Sequence, residues 1–255
     1  MTTDRPTRPR TRDRARRSTL DRATADRLAA TEYLRVHDAL AALTAEQWSL
    51  PTPCPGWDVR ALATHVLGMA EMSARTRENL RQNLAARRRG GLFIDALTAL
   101  QVEERAHLSP SDIVAALAAV GPRAARARAR TPAVLRRVRM PLPEPFPGDE
   151  AWTYGYLVET IMTRDPWMHR VDLADATGQA LHLTPGHDGA IVADVVGEWA
   201  VRHGRPCAVM LTGPAGGQWS FGRAGPRIEL DAIEFCRRVS GRTPADGLLT
   251  SQVPF

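Results

Sequence analysis

The sequence predicts a mainly α protein, a four-helix bundle followed by a small α+β domain, and three observations carry that expectation. Ala- and Leu-rich stretches with apolar residues three and four apart fill the first two thirds of the chain, a spacing that lines one face of a helix. Pro- and Gly-rich loops of moderate length separate those stretches, as suits neighbouring helices of a bundle. Past about residue 179 the character changes to short strand-like runs. At 255 residues and 44% hydrophobic, the chain can bury a core of this kind, and its length suits two domains.

The elements follow in chain order. Residues 1–17 carry seven arginines, two aspartates and almost no apolar side chain, and so hold five of the six net positive charges. Such a segment cannot offset its ordering entropy, so residues 1–19 are expected to be a disordered Arg-rich tail. Its expected role is solvation, with nonspecific nucleic-acid contact the weaker alternative. Leu20 to Leu43 reads as the first helix, with Leu28, Tyr33, Leu34, Val36, Leu40 and Leu43 at helical spacing. The loop PTPCPGWDVR ends it, and Asp58 or a neighbour caps a second helix running to about Arg88, before Gly90 and Gly91. SPSDIVAALAAV opens a third helix, with Pro110 in the first turn and Asp112 near the positive end of the dipole. Seven arginines and no acid lie between Gly121 and Arg139, which reads mostly as an exposed helix face. After MPLPEPFPGDE, Trp152 to about Ala176 reads as the fourth helix, closed by Gly178. The bundle domain thus spans 20–178. A helix around Ile191–Val201, strands in CAVMLTGP and QWSFG, a third strand at Ile228–Leu230 and a helix in DAIEFCRRVSGR make up the α+β domain, 179–255.

Composition excludes several classes. No apolar run approaches the roughly 18 residues of a membrane span, and no apolar segment follows the Arg-rich start, so the chain is expected to be soluble and cytoplasmic with no membrane partner. Cys54, Cys207 and Cys236 are odd in number, far apart and free of any CxxC pair, which argues against disulfides or a thiolate zinc site. They read as small buried residues, Cys54 included, because no base lies near it in sequence.

The chemistry is concentrated in the fourth helix. Tyr154, Val158, Ile161, Asp165, Met168, His169 and Asp172 share a stripe, and Asp165 and His169 stand four apart. A carboxylate and an imidazole at that spacing point the same way, as two ligands of one divalent metal must. His65 lies at the edge of the stripe Val59, Leu62, Val66 and Met69 on the second helix and could join them across the bundle. With an open position for water, that set suits zinc or a similar metal. The alternative remains open that Asp165 and Pro166 are the N-cap and first residue of a new helix. Trp57 and Trp167 read as core or pocket wall, and His37, His107, His182, His187 and His203 have no ligand-like spacing.

PTPCPGWDVRALATHVLG resembles a signature of the mycothiol-dependent maleylpyruvate isomerase family, Pro-Thr-x-Cys-Pro-Gly-Trp and then a helix with a metal-binding His, here His65. RDPWMHRVDLADATGQ is similar to its second signature, an acidic residue four before a His and then Asp-Leu-Ala and Ala-Thr-Gly. The likeness spans roughly residues 20–255, including GPAGGQWSF and DAIEFCRRVSGR of a sterol-carrier-like C-terminal domain. It implies a DinB-like bundle whose His65, Asp165 and His169 hold a divalent metal, zinc above others. It also implies mycothiol as cofactor, a small electrophilic substrate, and thiol addition serving isomerisation or S-transfer. Arg242 would hold a substrate carboxylate; otherwise it is an arginine favoured by the helix C-terminus. The chain departs from the isomerase in having Asp165 for a longer glutamate, with Pro166 next. The rival reading is therefore a noncatalytic DinB-like protein that binds a small ligand or a protein.

Overall fold

The computed structural model describes residues 15–140 and 150–255. Most of the expected Arg-rich tail and of the Pro-rich connection lies outside them. Helix α1 (Arg22–Ala41) starts where Asp21 accepts the Thr24 amide, and α2 (Val59–Ala74) where Asp58 accepts that of Ala61. Helix α5 (Pro110–Ala129) opens on a reciprocal capping box between Ser109 and Asp112, with Pro110 in its first turn. The fourth bundle helix is one helical run over 154–177, made of α7 (Tyr154–Tyr156), a π turn (Leu157–Ile161) and α8 (Met162–Thr177), and it closes on left-handed Gly178. Helices α1 and α2 each pack against α5 and α8, forming the expected bundle around Tyr33, Val36, Leu62, Val66, Ile113 and Leu117.

Several expectations are corrected. Helix two does not reach Arg88 unbroken: Arg75 is extended (φ −140°, ψ 119°), and the chain resumes as α3 (Thr76–Arg89). No Gly or Pro marks this break. It lets α3 pair with α4 (Phe93–Arg105) as a hairpin against α2, so tertiary packing overrides local propensity. Helix α4 itself begins without a side-chain cap, which is why the sequence gives it no start signal. The tail expected through residue 19 is anchored at its end: the Arg16 amide donates to the Ala151 carbonyl at 2.7 Å, and its guanidinium pairs with Glu150. The Arg-rich stretch is more than an exposed face, because Arg128 is buried.

Arg128 also explains how a proline sits inside α8. Pro166 lacks the amide that would bond the Met162 carbonyl, and Arg128 Nη1 donates to that carbonyl at 2.9 Å, while Nε donates to Val158 O, in the π turn, at 2.7 Å. Helix α6 (Ala133–Arg136) and the short strands β1 (Arg139–Met140) and β2 (Trp152–Thr153) lead into this run, so Trp152 precedes the helix rather than starting it.

Beyond Gly178 a second π turn (Pro185–Gly189) feeds α9 (Ala190–His203). Strand β3 (Cys207–Thr212) pairs antiparallel with β4 (Gly217–Phe221) and parallel with β5 (Arg227–Asp231), and Asp231 then caps α10 (Ala232–Val239). The core of this part, with Val195, Trp199, Val209 and Phe235, takes in Trp167, Met168 and Val171 from α8. One helix thus serves the bundle and the α+β part, and its polar residues lie where both meet.

Candidate metal centre

Helix α8 presents Asp165 and His169 on one face, and α2 presents His65 opposite them. Asp165 Oδ1 lies 3.4 Å from His65 Nε2 and 3.5 Å from His169 Nε2. The imidazoles meet edge to face with centroids 5.1 Å apart, and one ligand atom from each of the three residues falls within 4.8 Å of the others. These separations exceed the 2.7–3.2 Å range of good N–H···O hydrogen bonds. They match the roughly 3.4 Å between two donors that each sit about 2.1 Å from a tetrahedral ion.

Asp165 caps no helix, since the chain is already helical from Tyr154. Its second oxygen, Oδ2, is buried without a hydrogen-bond partner among the described residues. Burial disfavours the Asp165 charge, but the attraction of His65 and His169 outweighs it and holds the carboxyl below its ordinary range. For His169 burial works toward the neutral form, yet Asp165, Asp172 and Cys54 raise its pKa well above the ordinary value. Two nitrogen donors and an under-satisfied carboxylate are a donor set that zinc accepts.

Each imidazole is supported on its far side. His65 Nδ1 lies 2.8 Å from Gln101 Oε1 on α4, and His169 Nδ1 lies 3.2 Å from Asp172 Oδ2 one turn further along α8. Arg242 then holds Asp172 bidentately, Nε to Oδ1 at 2.7 Å and Nη2 to Oδ2 at 2.8 Å. Arg242 stands just past α10, beyond Gly241, so its guanidinium answers a carboxylate of α8 rather than the end of its own helix.

The Pro-rich loop covers the centre. Its Thr52 amide donates to the Trp57 carbonyl at 2.9 Å and the Trp57 amide to Cys54 O at 3.1 Å, closing a tight turn. Trp57 is thereby set with its ring 5.1 Å from that of His65 and 6.0 Å from that of His169. Cys54 is half-buried, its Sγ 3.5 Å from Asp172 Oδ2 and 3.8 Å from His169 Nδ1. Its place is at the centre's edge, beside a histidine that sequence distance concealed. Cys207 and Cys236 are buried, as expected.

Residues 29–174, more than half of the chain, match the family described as the mycothiol maleylpyruvate isomerase N-terminal domain. The chain belongs to this family. Its fold is also that of two solved structures, the mycothiol-dependent maleylpyruvate isomerase (TM-score 0.57) and a histidine-to-alanine mutant of it (TM-score 0.56). Each is 14% identical to this chain, with 88% of this chain and 90% of the other covered. No curated protein sequence matches. Among the described residues, no helix is long and apolar enough to cross a membrane.

His65, Asp165, His169 and Arg242, the residues singled out from sequence, thus stand within one connected cluster. Asp172, Gln101 and Cys54 were missed as members. Asp172 did show a signal, three residues beyond His169 on the same stripe. Gln101 showed none, because its helix was not foreseen.

Proposed function

We propose that this member of the mycothiol maleylpyruvate isomerase family binds a divalent cation, zinc foremost, through His65, Asp165 and His169, and uses a low-molecular-weight thiol, mycothiol, against a small electrophile. The reaction would be isomerisation by reversible thiol addition, or S-transfer. The observation that carries this reading is the Asp165 carboxylate, set between two imidazole nitrogens at 3.4 and 3.5 Å, a spacing that two ligands of one ion share, with Oδ2 unpartnered among the described residues. A divalent cation bound there would supply a Lewis acid that lowers the pKa of a thiol at its open position.

The chain's own residues would do the rest. Asp165 offsets cationic charge, and the imidazoles donate as neutral rings once the proton on His169 is displaced. Trp57 shields their faces from water. Asp172, clamped by Arg242, orients His169 and keeps its Nδ1 proton in place. The family resemblance would have Arg242 bind a substrate carboxylate; with Nε and Nη2 on Asp172, such a contact would have to share a guanidinium that already positions a ligand.

Elemental mass spectrometry on untagged protein tests the reading. Wild type should carry close to one equivalent of metal, and His65→Ala and His169→Ala should carry none. Mycothiol should then be consumed with an electrophile by wild type alone. Folded wild type that takes up no zinc on reconstitution would favour a noncatalytic binding protein instead.

A further inference from the structure

Gln82 and Gln101 are both fully buried, and neither has a part in the reading above beyond the contact of Gln101 with His65. Together they form a hydrogen-bonded line whose direction is determined from its far end. Gln82 Nε2 lies 3.2 Å from the Gly68 carbonyl and 2.9 Å from Glu78 Oε1. A backbone carbonyl can only accept, and so can an ionised carboxylate. Glu78 is ionised, because Arg81 bonded to it holds its pKa down to about 2. The Gln82 amide therefore has one orientation, with its NH2 toward those acceptors and Oε1 toward Gln101.

The next link follows. Gln101 Nε2 donates to Gln82 Oε1 at 2.8 Å and reaches Met69 Sδ at 3.3 Å. Its Oε1 then faces His65 Nδ1 at 2.8 Å, and an amide oxygen cannot donate. The proton between them belongs to His65. In its neutral form the ring then keeps its lone pair at Nε2, the nitrogen facing Asp165.

We propose that Gln101, locked by Gln82, is a positioning residue that fixes His65 as the Nδ1–H tautomer and so presents the Nε2 lone pair to a cation held with Asp165 and His169. The inference rests on the metal reading only for the cation; the tautomer follows from the amide line itself. It also gives the two histidines different supports. His169 leans on a carboxylate that Arg242 holds, and His65 on a neutral amide.

The backbone is shaped for this contact. Gly68 lies one turn beyond His65 on α2, and a Cβ there would come within 2.7 Å of Gln101 Cγ and 2.8 Å of its Cβ. Glycine lets α4 approach closely enough for a glutamine side chain to reach the ring.

Two measurements on the full chain test the proposal. In metal-free protein near pH 8, long-range nitrogen–proton correlation spectra should show His65 as the Nδ1–H tautomer, and Gln101→Leu should turn it into a mixture or the opposite form. In competition with a chelator, zinc affinity should fall by about 10–100-fold in Gln101→Leu. A folded Gln101→Leu with unchanged tautomer and affinity would overturn the proposal. If that variant does not fold, Gln82→Met, which leaves Gln101 in place but unlocked, should show the same mixed tautomer, and an unmixed ring there would be equally decisive. Wild type that binds no zinc would defeat the metal reading while the tautomer measurement still judged the glutamine line.

Discussion

The carboxylate–imidazole contacts of Glu32, packed against α8, and of Asp165, on it, differ by nearly an ångström. Glu32 Oε2 lies 2.6 Å from His187 Nε2, and its other oxygen takes Arg170 Nε at 2.8 Å. Asp165 stands 3.4 and 3.5 Å from its two histidines and leaves Oδ2 unpartnered. Where a carboxylate and a histidine serve packing alone, this fold closes them to hydrogen-bond distance. At the centre, Gln101 and Asp172 hold the imidazoles from behind, and the gap stays open. The contrast is one of closure, with both Glu32 oxygens taken and Asp165 Oδ2 left without a partner among the described residues.

The comparison breaks most clearly under paired substitutions. Glu32→Gln removes a charge that Arg170 and His187 both face in the interior, so it should cost about 3–5 kcal/mol in urea unfolding and leave metal content unchanged. Asp165→Asn should abolish metal binding; in the metal-free protein it forfeits the attraction to His65 and His169 but also removes a charge whose Oδ2 has no partner among the described residues, so its cost should fall below that of Glu32→Gln. Equal costs for the two would make Asp165 an ordinary structural ion-pair member, and the difference in distances would lose its meaning.

A smaller effect, at the support of His65 rather than at its ligand atom, sharpens the same point. Gly68→Ala places a methyl 2.7 Å from Gln101 Cγ. Overpacking of this kind costs about 1–3 kcal/mol, and displacement of Gln101 should weaken zinc binding as well. A glycine-to-alanine change at Gly204, whose Cβ would meet nothing within 4 Å, gives the control, since strain in its positive φ of 61° acts on stability without touching Gln101. Unaltered zinc affinity in Gly68→Ala would show that α4 can shift without disturbing His65.

Much of this was legible in the sequence because it is local. Capping by Asp58 and Ser109, the stop at Gly178 and the four-residue step from Asp165 to His169 each depend on neighbours within a turn or so of chain. The assignment of His65 to the same cluster needed the family likeness, since nothing local joins residue 65 to residue 169. What was not legible is set by distant contacts. Arg75 breaks a helix without a breaker, Pro166 stays helical because Arg128 reaches the carbonyl it leaves unbonded, and Gln101 matters only through His65. Cys54 was read as packing for the same reason: its neighbours, His169 and Asp172, lie 115 and 118 residues away.

The least disruptive test of the comparison uses acid on the packed side of α8. Asp188 is fully buried beside Trp167 Nε1, the Thr184 amide, Arg170 and Arg35. Burial alone would raise its pKa, but the Thr184 amide and Arg170 outweigh it and hold the folded value at about 2, against 3.8 for the free side chain. A carboxyl with a depressed folded pKa stabilises the fold above its unfolded value, and that stabilisation is lost as pH falls through the folded one. Unfolding free energy should therefore drop between about pH 4 and pH 2 more steeply in wild type than in Asp188→Asn, with chelator present so that no metal contributes. Parallel curves would mean that Asp188 gains nothing from its cationic neighbours, and that the tightly closed side of α8 is no better satisfied than the centre around Asp165.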